Sequence, residues 1–173
     1  MNKALIDALV AAVGVEHVIT PEDPRYYAFT FGDATMYRSA PDVVVFPGSA
    51  DEVSAIIKAT AANESFVVPA GGLTGLSGGA SSRGGVQMNL SRMTDIIPVA
   101  PASHMISTLG ANIAEAAGGT WGMSKGTFKN YLLTLEVVDG LGKTFQTAKP
   151  FPKQSTGPDL TSLFLGSEGT MGV

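Results

Sequence analysis

Residues 41–72, PDVVVFPGSADEVSAIIKATAANESFVVPAGG, decide the fold of this chain. The DVVVFP segment predicts a short buried strand that ends at Pro47, and SFVVPA predicts a second buried strand that ends at Pro69. The residues between the two segments predict a helix. A strand, a helix and a strand with short connections form a βαβ unit, whose crossover makes the two strands parallel.

The helix between these strands is marked by its first turn and by one apolar face. Ser49 and Glu52 have the spacing of a capping box, so we expect the helix to begin there and to continue to about Asn63. Buried side chains are expected at helical spacing at Val53, Ile56, Ile57 and Thr60. This face predicts that the helix packs on the sheet.

Residues 69–85, PAGGLTGLSGGASSRGG, contain seven glycines and one charged side chain, that of Arg83. This loop follows the carboxyl end of the second strand, where ligands bind in parallel α/β sheets. A flexible linker is one interpretation, and a loop whose backbone approaches a ligand is the other. The glycines lack the spacing of the Walker and GxGxxG phosphate loops. We favour a nest of successive backbone N–H groups that suits a pyrophosphate, with the hydroxyl groups of Thr74 and Ser77 as further donors.

Other segments predict the elements around this unit. The first residues, MNKALIDALVAAVG, have apolar side chains at helical spacing and predict a helix. VQMNL, after the glycine loop, predicts a strand by its alternation. TLGANIAEAAGG predicts a helix that ends at Gly118 and Gly119.

The last third of the chain predicts a hairpin and a second glycine loop. In TLEVVDGLGKTFQTA, residues 135–138 and 144–147 flank a turn that contains glycine, which is typical of a β-hairpin. TSLFLGSEGTMGV predicts one apolar turn of helix followed by a loop. No repeat of the kind found in solenoids is present.

The composition excludes several classes of function. Charged residues make up 15% of the 173 residues and the formal net charge is −4, so we expect no nucleic-acid partner. Cysteine is absent, which excludes disulfides and thiol chemistry. No apolar run reaches the length of a membrane span, and Asp7 interrupts the apolar start, unlike a signal peptide. We therefore expect a cytoplasmic protein without a membrane span.

Four segments in the same order resemble one family of flavoproteins. PDVVVFPGSADEVSAII with VVPAGGLTGLSGGA is similar to the start of the FAD-binding domain of vanillyl-alcohol-oxidase-type (PCMH-type) flavoproteins. PASHMISTLGANIAEAAGG, YLLTLEVVDGLGKTF and DLTSLFLGSEGTMGV are similar to its FAD-linked 2-hydroxy-acid dehydrogenases: D-lactate and D-2-hydroxyglutarate dehydrogenases and the large subunit of glycolate oxidase. The resemblance implies an α+β fold of two subdomains, a βαβ subdomain at residues 1–95 and a mixed-sheet subdomain at residues 100–173, with FAD between them.

The resemblance also implies which residues bind FAD. The pyrophosphate loop is assigned to Ala70, Gly71, Gly72, Leu73, Thr74, Gly75 and Ser77. The flavin and its ribityl chain are assigned to Pro101, Ser103, Thr108, Leu109, Gly110, Asn112 and Ala114, closed by Gly118 and Gly119. The adenine or ribityl side is assigned to Glu168, Gly169, Gly172 and Val173. Small residues at these positions allow the backbone to approach a long, flat cofactor.

Some relatives attach FAD covalently through a histidine in the glycine loop. Residues 70–80 contain no histidine, so we predict a dissociable, non-covalent FAD. His17 is interpreted as a solvated residue at a helix end, His104 as a local hydrogen-bonding residue and Trp121 as a packing residue. The sequence indicates no metal site and identifies no catalytic base.

The chain departs from this family in three places. At residues 98–102, relatives have a few dozen additional residues, including a strand and a helix, that are missing from this sequence. Either this protein lacks these residues, or the given sequence omits a stretch of the natural chain. We favour an omission, because the loss of a strand would damage the sheet. A separation between neighbouring Cα atoms well above about 3.8 Å near residues 98–102 would show the omission. Gly157-Pro158-Asp159 replaces the usual Gly-Tyr-Asp and removes an aromatic residue. Relatives also continue past Val173 into a substrate-binding cap domain, which supplies the base, and we expect this chain to lack the cap.

The activity that the resemblance implies is the oxidation of a 2-hydroxy acid by hydride transfer to the flavin. The implied partners are a small hydroxy-acid substrate and an electron acceptor, either a protein or a quinone. Two alternatives stay open: a flavin-binding module or subunit without its own turnover, and an alcohol or sugar oxidase on the same scaffold. Reduction of the flavin by D-lactate, glycolate or D-2-hydroxyglutarate separates the enzyme from the module, and fast reoxidation by oxygen marks the oxidase.

Overall fold

A computed structural model describes residues 2–35, 37–94, 109–119, 122–151, 153 and 155–173. The helices are α1 (Lys3–Val13), α2 (Ala50–Ala62), α3 (Leu109–Ala114), α4 (Gly122–Lys125) and α5 (Leu160–Phe164). The strands are β1 (Val18–Ile19), β2 (Val43–Val45), β3 (Val67–Ala70), β4 (Val86–Asn89), β5 (Glu136–Val138) and β6 (Thr144–Gln146). Short 3₁₀ helices cover Val15–His17, Pro24–Phe29, Leu90–Arg92 and Phe128–Asn130.

The first four strands form one mixed sheet in the order β1-β2-β4-β3. β1 is antiparallel to β2, whereas β2, β4 and β3 are parallel, as the βαβ prediction requires, with β4 between its two strands. The prediction that the second strand ends at Pro69 is wrong, because β3 continues to Ala70. β3 lies at the edge of the sheet, where proline removes no ladder hydrogen bond. Its first three residues are therefore half-buried instead of buried as predicted.

The helix α2 begins at the predicted residue. The Ser49 hydroxyl oxygen accepts a hydrogen bond from the Glu52 N–H at 3.2 Å. The Glu52 carboxylate accepts one from the Gly48 N–H at 2.7 Å, one residue before the cap, and pairs with Arg92 at 3.2 Å. All four predicted inward-facing residues are buried, namely Val53, Ile56, Ile57 and Thr60.

The two faces of the mixed sheet have different neighbours. On one face, side chains of β2 and β4 pack with α1 and α2 into the hydrophobic core, and Val86 and Met88 are fully buried there. Gln87, between them, lies on the other face and its Nε2 donates to the Ala80 carbonyl at 2.8 Å. Since Ala80 belongs to the glycine loop, this hydrogen bond holds the second half of the loop against β4, an inner strand of the sheet.

The C-terminal end of α3 lies before the predicted one. The helix ends at Ala114, so the prediction that the glycines at 118–119 end it is wrong. Ala116 has a φ of 50°, and the Ala117 N–H donates to the Asn112 carbonyl at 2.8 Å. This is a Schellman motif, in which one residue in the left-handed conformation closes the helix. Alanine occupies the position that glycine usually takes, which explains why the glycine pair misled the prediction.

The strands β5 and β6 form the predicted antiparallel hairpin, with Glu136 opposite Gln146 and Val138 opposite Thr144. Val138 also exchanges two backbone hydrogen bonds with Val173, at 2.8 and 2.9 Å. Its side chain packs into the same core as α1 and α2. In the described ranges the mixed sheet thus belongs to the first predicted subdomain, and the second contributes an antiparallel pair.

Two predictions about the middle of the chain fall outside the described residues. The junction at residues 98–102 is one, and the boundary between subdomains at residues 95–100 is the other. Both stay predictions. Among the helices that are described, none has the length and apolar character needed to cross a membrane.

Candidate functional site

A groove of about 330 Å³ lies where β3 and β4 end. One wall is the glycine loop that follows β3, and the other combines α3, the start of β5 and the last residues of the chain. Its lining comprises Asp33, residues 69–75, Ser77, Gly79, Ala80, Leu90, residues 110–115, residues 135–137, Phe164, residues 167–169, Gly172 and Val173. The volume is within the range of small-molecule sites, about 300–1,000 Å³.

The glycine loop is held by its carbonyl groups and leaves its amides available. The Gly75 carbonyl accepts a hydrogen bond from the Ala34 N–H at 3.1 Å, and the Ala80 carbonyl accepts the one from Gln87. Leu73 has a φ of 56°, which turns the backbone within the loop. No backbone N–H from Gly72 to Ser77 donates to another residue of the described ranges. A loop that is fixed in place but has free donors matches an anion nest better than a linker.

The opposite wall is fixed by hydrogen bonds between α3 and the last segment of the chain. The Gly166 N–H donates to the Ile113 carbonyl at 3.0 Å, and the Glu168 N–H donates to the Ala114 carbonyl at 2.9 Å. The last carbonyls of a helix have no partner within it, so these two bonds satisfy groups that would otherwise need water. The Glu168 backbone has a φ of 50°, which directs the chain back toward β3.

Two glycines lie where the two walls approach each other. A Cβ atom on Gly169 would lie 2.4 Å from Cγ of Pro69, and the φ of Gly169 is +77°. A Cβ atom on Gly75 would lie 2.7 Å from Oε1 of Glu115. A side chain at position 169 would meet the Pro69 ring and push the glycine loop away from the opposite wall. At position 75 it would meet the end of the flexible Glu115 side chain, which can move. The width of the groove therefore depends on the absence of a Cβ atom at Gly169.

The charged side chains of the groove are carboxylates. Asp33, Glu115, Glu136 and Glu168 line it, and the described lining includes no lysine, arginine or histidine. Glu115 accepts a hydrogen bond from the Ser77 hydroxyl at 3.3 Å. Within the described ranges, no three histidine, aspartate or glutamate side chains are grouped in a way that could hold a metal ion. A bound anion must therefore be stabilised by backbone amides.

Most of the residues assigned from the sequence come together here. Those that line the groove are Ala70, Gly71, Gly72, Leu73, Thr74, Gly75, Ser77, Gly110, Asn112, Ala114, Glu168, Gly169, Gly172 and Val173. Leu109, Gly118 and Gly119 are described but lie outside the lining. Pro101, Ser103 and Thr108 lie outside the described residues, as do His104 and Trp121.

Several lining residues were missed by the sequence reasoning. Glu115 lies three residues after Asn112, so helical spacing could have placed both on one face of α3. Glu136 and Val137 could be found only by knowing that the hairpin borders the groove. Asp33 precedes the βαβ unit and has no motif around it that indicates a ligand. Its place in the groove results from the tertiary fold alone.

Residues 41–107 match a protein family described as FAD binding domain. Among curated relatives, glycolate oxidase subunit GlcD of Bacillus subtilis is 33% identical over 205 positions, which cover 100% of this chain and 43% of that protein. D-2-hydroxyglutarate dehydrogenase of Stutzerimonas stutzeri is 31% identical, with 99% and 44% covered. D-lactate dehydrogenase [cytochrome], mitochondrial, of Arabidopsis thaliana is 32% identical, with 91% and 33% covered. The chain thus spans less than half the length of each of these relatives.

Solved structures share the fold at lower identity. An alkyldihydroxyacetonephosphate synthase superposes with a TM-score of 0.81 at 20% identity, covering 100% of this chain and 39% of that one. A variant of Phl p 4, a glucose dehydrogenase, superposes with a TM-score of 0.73 at 14% identity, covering 99% and 42%. The fold is that of PCMH-type FAD-binding proteins. The family match over residues 41–107, the similarity of nearly the whole chain to these curated relatives and the shared fold agree that the chain carries a PCMH-type FAD-binding domain.

Proposed function

We propose that the groove binds FAD without a covalent bond and that the chain is the FAD-binding part of an enzyme that oxidises a 2-hydroxy acid. The family match and the names of the relatives support the cofactor and the substrate class, of the glycolate, D-lactate or D-2-hydroxyglutarate type. The single observation that carries the proposal is the glycine loop, whose amides from Gly72 to Ser77 are free of partners within the described chain.

The residues of the groove fit a flavin dinucleotide. Free amides at one end of a helix-flanked sheet can bind a pyrophosphate where no lysine or arginine lines the described wall. Gly169 lies where a Cβ atom would clash with Pro69 and displace the glycine loop, so its absence keeps the two walls at their present spacing. Residues 70–80 contain neither histidine nor cysteine, which supports a dissociable cofactor.

The role of this chain in the reaction is to bind and orient the cofactor. FAD, when bound, would supply the hydride-accepting chemistry that oxidises the hydroxy acid. The backbone of the glycine loop would hold its diphosphate, and the second wall would set the width available to the flavin. We assign no catalytic base within the described groove. We propose that a residue outside it accepts the proton of the substrate hydroxyl group.

The electron acceptor and the location of the enzyme are part of the proposal. We propose an acceptor protein or a quinone, and the name of the Arabidopsis thaliana relative, which includes a cytochrome, favours the protein. We also propose a cytoplasmic location. Cell fractionation with an antibody against the chain tests the location, and reduction of cytochrome c or of a soluble quinone in the presence of substrate tests the acceptor.

A second candidate is a flavin-binding module that has no turnover of its own. The observation that favours it is the charge of the groove. A hydroxy acid carries a carboxylate, which enzymes bind with arginine or lysine, and neither lines the described groove. Under this candidate, the chain binds FAD and another chain or segment binds the substrate.

One experiment separates these functions. FAD is added to the purified chain and binding is followed by the fluorescence of the flavin; D-lactate, glycolate or D-2-hydroxyglutarate is then added without oxygen. Loss of the visible absorbance of bound flavin with one of these acids, and not with L-lactate as the control, supports the enzyme. Binding without loss of absorbance supports the module. Absence of FAD binding contradicts both, and rapid return of the colour in air after reduction by a sugar would indicate a sugar oxidase.

A further inference from the structure

Asp33 is a buried carboxylate in the wall of the groove. Only 6% of the residue is exposed, although it follows a 3₁₀ helix at the protein surface. One carboxylate oxygen, Oδ1, accepts hydrogen bonds from the Thr35 N–H at 3.0 Å and from the Thr35 hydroxyl. These two bonds fix the plane of the carboxylate.

The second oxygen of this carboxylate faces the glycine loop. Oδ2 lies 3.9 Å from the position that a Cβ atom on Gly75 would occupy. It accepts no hydrogen bond from any residue in the described ranges. A carboxylate oxygen that is oriented toward the groove and receives no donor from the described residues can be satisfied by water or by a ligand that enters the groove.

The surroundings decide which kind of donor fits. Glu115 lies on the other side of Gly75, with Oε1 at 2.7 Å from the same Cβ position, so this end of the loop carries two carboxylates. The described lining contributes no cationic side chain to neutralise them. A phosphate group next to Asp33 would be repelled, whereas a neutral hydroxyl or amino group can donate to Oδ2. The anion of a dinucleotide must therefore lie toward Gly72, away from the two carboxylates.

We propose that Asp33 is a cofactor-binding residue whose Oδ2 accepts a hydrogen bond from a neutral donor of the dinucleotide, a hydroxyl of its ribose or ribityl chain. This proposal rests on the proposed function, because it takes FAD as the ligand of the groove. Asp33 thereby sets the direction of the cofactor, with the hydroxyl-bearing part beside Gly75 and the diphosphate beside Gly72. The glycine loop supplies affinity for the charge, and Asp33 supplies the orientation.

The test is the FAD affinity of the variant Asp33→Asn, compared with Asp51→Asn as a control. Asp51 is an exposed residue of α2 that does not line the groove, so the control makes the same change of charge outside the site. A hydrogen bond to a charged acceptor predicts that Asp33→Asn weakens FAD binding about tenfold and that the control leaves it unchanged. Tighter binding by Asp33→Asn would show that the carboxylate only repels the ligand, which would overturn the proposal.

Two fragments of the cofactor separate the possible donors. ADP carries the ribose and adenine, and FMN carries the ribityl chain and flavin. Weaker ADP binding by Asp33→Asn, with FMN binding unchanged, places the donor on the ribose; the reverse places it on the ribityl chain. Weaker FAD binding with both fragments unaffected overturns a direct contact.

A second variant, at Thr35, tests the proposal independently in case Asp33→Asn does not fold. Thr35→Val keeps the carboxylate but removes the hydroxyl donor that orients it, so FAD binding should weaken by a smaller factor, about two- to threefold. Melting curves without ligand show whether each variant is folded. Unchanged FAD affinity in a folded variant at either position overturns this proposal while leaving the proposed function intact. Failure of the unaltered chain to bind FAD overturns both.

Discussion

The sheet with its two helices and the wall formed by the last third of the chain are stabilised in different ways. Val43, Val44 and Val45 of β2 are completely buried, and α2 has 13 residues with one continuous buried face. The helices α3, α4 and α5 have six, four and five residues and together bury a single side chain, that of Thr161. The first region therefore gains its stability from burial of its own apolar surface, and the second from contacts with other segments.

The second region, the wall formed by the last third of the chain, depends on its contacts with the core for its structure. The Val138 side chain packs into the core with α1 and α2, and the Ser54 hydroxyl of α2 donates a hydrogen bond to the Gly142 carbonyl at 2.5 Å. The exposed apolar residues of this region include Leu109, Leu133, Leu160 and Leu163. A region that is attached to the core by a few contacts opens more readily than the core itself. Changes in the core should thus affect the whole chain, whereas changes in the wall should affect the groove first.

The largest effect is expected from Ile56→Ala. Ile56 is fully buried between α2 and the sheet, so its truncation removes apolar contacts and leaves a cavity, lowering the free energy of unfolding by about 2–5 kcal/mol. Leu141→Ala in the hairpin turn is the control, since Leu141 is 84% exposed and the change should stay within about 0.5 kcal/mol. Urea unfolding followed by circular dichroism measures both. Equal losses in the two variants would contradict the division into a core and a dependent wall.

A smaller effect on stability, with a large effect on the groove, is expected from Gly169→Ala. The added Cβ atom would lie 2.4 Å from the Pro69 ring at a φ of +77°, which we expect to cost about 1–3 kcal/mol in strain and displacement. FAD binding should fall at least tenfold, because the two walls separate. Gly140→Ala is the matched control, since no atom lies within 4 Å of its Cβ position and Gly140 is outside the lining. Similar FAD affinities of the two variants would show that contact between the walls is not required.

The smallest effect is expected from Asp159→Asn, at the start of α5. The hydrogen bond from the Ser162 hydroxyl, followed by that from the Ser162 N–H, holds the pKa of the Asp159 carboxyl below its ordinary 3.8. A carboxyl with a lowered pKa in the folded state stabilises the fold above its unfolded pKa, and this contribution is lost as the pH falls through the folded pKa. Asparagine caps a helix without the charge. The melting temperature of the variant should therefore be slightly lower than that of the original chain above about pH 5, and the difference should shrink below pH 3.8.

A difference in melting temperature that grows on acidification would contradict this account of Asp159. Lys3→Met offers a comparison outside the wall. The Asp7 carboxylate raises the pKa of Lys3, first by its hydrogen bond and then by its charge, and the pair lies exposed on α1. Its contribution is lost as the pH rises through the raised pKa of the lysine, so the difference caused by Lys3→Met should disappear at alkaline pH, whereas that caused by Asp159→Asn should disappear in acid.

Sequence reasoning succeeded where local signals agreed with the tertiary structure. The Ser49 cap, the four inward-facing residues of α2 and the parallel strands around it could be predicted because each follows from spacing along the chain. It failed at α3, where Ala116 takes the left-handed conformation that glycine usually provides. It also failed at Pro69, because a strand can include proline only at an edge, and the order of strands decides which strand is at the edge.

The sequence by itself determined the βαβ unit, the glycine loop at its carboxyl edge and the family that both resemble. Only the tertiary structure decided which walls meet across that loop. It brought Asp33, Glu115 and Glu136 to the groove from three distant parts of the chain. The physical reason is that helix caps and apolar periodicity act over a few residues, whereas the approach of two walls depends on close packing between segments that no local pattern describes.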